Sequence, residues 1–124
     1  MEPLKIAAKE DSPEIIFDPQ NQRFEINHRS LPEDAVAFYA PVFNWLEQYK
    51  NEALALSTFH FKLDYFNTTT AKQLYKLFCL LEEISREHTI EIKWHYHNED
   101  KDMRAAGERY SKLIAGLKFD LVEY

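Results

Sequence analysis

From Phe59 to Tyr65 the chain alternates, with Phe59, Phe61, Leu63 and Tyr65 separated by His60, Lys62 and Asp64. A period of two marks a strand with one face buried and one wet. The alternation recurs in Ile90, Ile92, Trp94 and Tyr96 against Glu91, Lys93, His95 and His97, and in Phe24 and Ile26 against Arg23, Glu25 and Asn27. Downstream of Tyr65 the period becomes helical, through Leu74, Leu77, Phe78, Leu81 and Ile84. The pattern therefore predicts strands at Leu56–Tyr65, Ile90–His97 and Lys118–Val122. Helices are predicted over Thr68–Arg86 and from Asn98 or Asp100 to about Ile114, the latter with Met103, Ala106, Tyr110 and Leu113 inward.

The first third reads differently. Glu14–Phe17 and Arg23–Asn27 predict a hairpin closed by the turn cluster Asp18-Pro19-Gln20-Asn21, and Leu4–Ala7 allows a short strand. Ser30-Leu31-Pro32-Glu33 has the form of a capping box, Ser30 being the N-cap and Glu33 three positions on. The helix it opens carries Ala35, Phe38, Tyr39, Val42, Phe43, Leu46 and Tyr49 on one face, and Pro41 predicts a kink or a split. After the hairpin, strand and helix alternate, which favours parallel pairing through right-handed crossovers. A sheet covered on both faces would show unbroken apolar strands; these alternate, so the helices belong mainly on one face. The fold class is a mixed sheet of the α+β or α/β kind, in one domain spanning residues 1–124, with no linker or repeat.

Composition narrows the function. With 45% hydrophobic residues, including nine Phe, seven Tyr and two Trp, 124 residues can build a real core. A formal charge of −6 without a basic cluster argues against nucleic acid as a partner. Cys79 is the single cysteine, so an internal disulfide is excluded; its neighbours Phe78 and Leu80 make it read as a buried apolar residue. No apolar stretch approaches a membrane span, and a reducing, cytoplasmic setting is expected. Gly107 and Gly116 are the only glycines, too few for a phosphate loop or a dinucleotide fingerprint.

The candidate chemistry lies at Asn67-Thr68-Thr69-Thr70, where the strand pattern stops and the helix pattern begins. Asn67 is a favoured N-cap, leaving Thr68 as the first helical residue, beside free N–H groups at the positive end of the helix dipole. Phosphorylation there would add about −1.5 to −2 charges at one point of the surface. Thr69 and Thr70 are weaker acceptors, because their hydroxyls can turn toward the capping backbone. Lys72, one turn on, can pair with such a phosphate. His95 and His97 share a strand face with His60, and a metal there would need a third ligand such as Asp64 or Glu91. Solvated sheet-face histidines are the simpler reading, so neither a metal nor a cofactor is expected.

A strand, Asn67-Thr68 and a helix in a one-sided sheet resemble the anti-sigma-factor-antagonist (STAS) domain, although that family has Asp where Asn67 stands and a glycine soon after. The chain resembles the SiaC family of biofilm-regulation phosphoproteins, which have a STAS-like fold, more closely. That resemblance rests on Ser12-Pro13-Glu14-Ile15-Ile16-Phe17-Asp18, Ser30-Leu31-Pro32-Glu33-Asp34-Ala35, Tyr65-Phe66-Asn67-Thr68-Thr69 and Trp94-His95-Tyr96, in order across nearly the whole chain. Phe66 departs from a more usual aliphatic residue. The resemblance implies a non-catalytic partner-switching protein whose acceptor maps onto Thr68, with Asn67, Thr68, Thr69 and Lys72 at the partner-binding surface. It further implies a dedicated serine/threonine kinase, a metal-dependent serine/threonine phosphatase, and a diguanylate cyclase bound and activated by the unmodified form. A constitutive protein- or ligand-binding module and a small metal-dependent enzyme using His60, His95, His97 and Asp64 are the alternatives.

Overall fold

The computed structural model describes residues 1–124. The elements run β1 (Leu4–Ile6), β2 (Glu14–Asp18), β3 (Arg23–Ser30), α1 (Ala35–Tyr49), β4 (Leu56–Phe66), α2 (Thr68–Ile84), β5 (Thr89–Tyr96), α3 (Lys101–Leu113) and β6 (Lys118–Glu123). They form a mixed α+β fold in which the six strands lie side by side in chain order. β1, β2 and β3 pair antiparallel, and β3 to β6 pair parallel, each parallel pair being joined through a helix.

The hairpin closes where turn chemistry predicts. Asp18 accepts a 2.7 Å hydrogen bond from the Asn21 side chain, and Gln22, at φ 53°, takes the left-handed residue of the turn. This sets Phe17 opposite Phe24 and so places both rings on the helix side. There Phe17, Phe24, Phe59, Trp45 and Tyr49 form an aromatic cluster under α1. Phe61, Phe78, Trp94, Tyr110 and Phe119 form a second under α2 and α3. Each aromatic pair contributes about 0.5–1.5 kcal/mol beyond its area. The opposite face carries Glu25, Asn27, His60, Glu91, Lys93 and His95, half-buried by one another.

Several local expectations are corrected. Ser30 is not a helix cap: it ends β3 fully buried, and Asp34 caps α1 by accepting from the Ala37 N–H at 3.1 Å. α1 is not split; it runs through Pro41, which is exposed, so water can meet the Ala37 carbonyl that the proline leaves without its N–H. Its buried face includes Trp45, whose indole donates to the Glu2 carbonyl at 2.8 Å, a residue the helical pattern passes over. Tyr65 points outward at 49% exposure, because the β3–β4 register jumps from His28–Leu63 to Arg29–Tyr65 and skips Asp64. Such a bulge reverses the pleat, and Phe66 turns in against Trp94. Cys79 is only half-buried, on the groove between α1 and α2. Leu113 is exposed, and Ile114 fills the core in its place.

Candidate functional site at the start of helix α2

Each helix starts at the carboxyl end of the strand before it, and each is capped by an Asx side chain: Asp34 for α1, Asn67 for α2 and Asp100 for α3. At α2 the cap is unusually well tied down. The Asn67 side-chain oxygen accepts from the Thr70 N–H and from the Thr69 hydroxyl, both at 3.0 Å. Its own N–H donates to the Ser30 carbonyl at 3.2 Å, and its carbonyl accepts from Ala71 at 2.9 Å. Strand β3 and the first turn of α2 are thereby locked to one residue.

The three threonines have three different fates. Thr70 is fully buried, and its hydroxyl donates to the Ser30 carbonyl at 3.0 Å. It also lies 3.0 Å from the Ser30 hydroxyl, which lies 2.7 Å from the Tyr39 phenol. One proton order satisfies this chain: Tyr39 donates to Ser30, Ser30 to Thr70, and Thr70 to the Ser30 carbonyl. Burial pushes the Tyr39 phenol up to about 12, so it stays a donor. Thr70 is thus a structural hydroxyl with no exposed surface. Thr69 is exposed but spends its proton on Asn67. Thr68, the first helical residue, is exposed and joins none of these bonds.

Lys72 is exposed and in no ion pair. With Glu33, Asp34, Thr69 and Gln73 it rims a hollow between the starts of α1 and α2; Thr68 lies outside that rim. Only the one-turn spacing brings Lys72 toward Thr68.

The histidines separate. His60 and His95 meet on the open sheet face, while His97 is exposed beyond β5 with its Nδ1 accepting from the Glu99 N–H at 3.1 Å. Glu91 is held by Lys118 at 3.1 Å, and Asp64 sits at the exposed bulge. No three His, Cys, Asp or Glu side chains gather as ligands, so the catalytic metal centre that the pattern allowed is not assembled. Burial lowers the pKa of both His60 and His95, with the second histidine and nearby lysines adding to the effect at His95.

A family model, described as SiaC family regulatory phosphoprotein, matches residues 6–124. The chain belongs to the SiaC family. Among solved structures, apo-SiaC from Pseudomonas aeruginosa superposes with a TM-score of 0.83 at 22% identity, over 99% of this chain and 98% of that one. SiaC from the same organism in complex with the diguanylate cyclase SiaD, whose activator it is, gives 0.89 at 22% identity over 98% and 99%. An uncharacterised protein of Pseudomonas aeruginosa strain UCBPP-PA14 is 24% identical over 111 residues, 89% of this chain and 88% of its own. The solved neighbours share this fold, and the family is one of regulatory phosphoproteins. No helix is long and apolar enough to cross a membrane. The buried Tyr39–Ser30–Thr70 chain escaped the sequence pattern, because Ser30 has the local signature of a cap.

Proposed function

We propose that this protein is a partner-switching regulator with no catalysis of its own, and that Thr68 is its phosphoacceptor. In this reading the unmodified form docks on a diguanylate cyclase through the start of α2 and activates it, as SiaC does SiaD. A dedicated kinase adds the phosphate, a metal-dependent phosphatase removes it, and the cycle runs in the cytoplasm as part of biofilm control. One observation carries the assignment: of three consecutive threonines in a regulatory phosphoprotein, Thr68 alone is both exposed and free of the cap.

Mechanism follows from charge. A partner covering the start of α2 would have to bury a phosphate or set it against its own acids, at a cost of several kcal/mol. Each ~1.4 kcal/mol is tenfold in affinity, so about 3 kcal/mol gives a hundredfold loss. The test is intact mass after incubation with the cognate kinase, followed by cyclase binding. The parent gains one phosphate and loses its partner, and Thr68→Ala gains none and keeps it. An alanine variant that is still phosphorylated and still released would remove Thr68 from the switch. Partner binding indifferent to both real phosphate and Thr68→Glu would replace the switch with a constitutive module.

A further inference from the structure

The open face of the sheet carries a feature that the partner switch does not use. His60 on β4 and His95 on β5 bring Nδ1 and Nε2 to 3.0 Å. The ring centroids lie 5.2 Å apart, farther than the nitrogens by about two ring radii, and the planes are inclined by only 28°. The rings therefore meet head-on, in the geometry of an N–H···N hydrogen bond that lies near both ring planes. Two paired strands of one sheet fix the spacing, and both rings are half-buried among their neighbours.

We propose that the His60–His95 pair is a proton-operated latch between β4 and β5, which stays closed on gaining one proton and must open to take a second. A neutral imidazole has one N–H and one lone pair, so in the neutral pair one ring donates and the other accepts. A first proton, added to the far nitrogen of the donor ring, leaves the contact in place and makes it charge-assisted, hence stronger. The acceptor ring then has a single lone pair, the one already used in the contact. A second proton can land there only after the rings part, and it sets two like charges side by side. Such a pair titrates in two separate steps that belong to the pair and not to either ring.

The surroundings decide which ring takes the first proton. Glu25 pairs in register with His60 from β3, and its negative charge favours a proton there, although Arg23 at 2.9 Å and Asn27 at 3.1 Å share that carboxylate. His95 faces lysines instead, Lys93 on its own strand and Lys62 on β4, and both oppose a charge on it. Lys93 is held by Asp120 of β6 at 2.6 Å, and Lys62 lies over the Tyr124 ring at 4.6 Å. Glu91 is paired with Lys118 of β6, Glu14 of β2 accepts from Asn27, and Asp64 and His97 are exposed toward the strand ends. His60 is therefore the donor through Nδ1, and His95 the acceptor through Nε2. Burial holds both histidines below the ordinary 6.5, so the unfolded chain takes up these protons first. The stability they contribute is complete above that value and is lost as pH falls through the folded values.

The experiment follows the histidine ring nitrogens of the intact chain by two-bond proton–nitrogen NMR from about pH 8 to about pH 4.5, with amide exchange read on the same samples. His60 should gain its proton first while Nδ1 still faces His95, and the second step should follow more than about 1 pH unit lower. Exchange in β4 and β5 around the pair should rise at least about tenfold with the second step and not with the first. One proton on the pair all the way down to acid unfolding meets the same expectation. Glu25→Gln should lower the pH of the first step, and His60→Gln should leave His95 with one step, above the second step of the pair. His97→Gln, whose ring lies elsewhere and already accepts a backbone N–H, should leave both steps where they are. The decisive readings come from the unmutated protein, so a variant that fails to fold does not remove the test. Two independent steps at one midpoint, a first proton on His95, or a second proton taken up while the amides stay protected would each overturn the latch.

Discussion

Neighbouring threonines at one helix start separate cleanly in energy. Removing the buried Thr70 hydroxyl while keeping its shape, as Thr70→Val, takes the acceptor from Ser30 and a donor from the Ser30 carbonyl. Breaking such a buried polar chain costs about 1–3 kcal/mol. Thr68 touches none of it, so Thr68→Ala should change stability by no more than about 0.5 kcal/mol. Urea unfolding of the two variants beside the parent measures both, and equal losses would mean that the hydroxyls are not partitioned as described. Asp18 offers a second residue-level test. The Asn21 side chain holds its carboxyl below the ordinary 3.8, with the Lys5 charge helping. As pH falls the unfolded chain therefore takes up this proton first. The stabilisation from Asp18 is complete above about pH 4 and is lost as pH drops through its folded value. Asp18→Asn should accordingly lower stability at neutral pH and flatten the acid limb of a stability–pH curve.

Where elements meet, close approach decides which changes are tolerated. A Cβ added at Gly107 in α3 would lie 2.5 Å from the Trp94 ring and 2.6 Å from Leu121, and the Trp94 indole donates to the Met103 carbonyl of the same helix at 3.0 Å. Alanine gains helix propensity worth up to about 1 kcal/mol, but forcing the helix off the ring costs about 1–3 kcal/mol. Gly107→Ala should lower the melting temperature, as read by calorimetry. Asn67→Ala should lose about 1 kcal/mol of cap. These elements were largely legible in the sequence because their periods are long and clean: β4 as far as Leu63, α2 and β5 bury the residues that the alternation or the helical stripe picks out. What escaped was set by contacts distant in the chain. Ser30 has a cap's neighbours yet is claimed by Tyr39 and Thr70, and the skipped Asp64 exchanges the faces of Tyr65 and Phe66 through pairing with β3. No local period carries either fact. The exposure of Thr68 was likewise only implied by its place, since a cap side chain decides which of the following hydroxyls are used.

For the whole molecule, the issue is whether a phosphate at Thr68 changes the fold or only its surface. The helix dipole stabilises such a charge by about 0.3–1 kcal/mol, with Lys72 one turn away as a further favourable charge. Beneath the site, the Asn67 bonds tie α2 to β3, and the two aromatic clusters fill the helix side of all the central strands. Shifting α2 would break several of those contacts for a gain comparable to one of them. Phosphorylated protein should therefore melt within about 4 °C of the parent and keep its near-ultraviolet circular dichroism, given ~1 kcal/mol of local gain. Amide shifts should stay near residues 66–73 and the facing start of α1 at 33–36. Perturbation reaching β5 and α3 would mean a rearranged core and a different kind of switch. Affinity for the proposed cyclase partner should fall about a hundredfold at low salt and recover in part as ionic strength rises, because screening weakens repulsion at an exposed rim but not a buried clash. A loss wholly insensitive to salt would place the phosphate under the partner, so the salt slope reports how deep in the interface Thr68 sits.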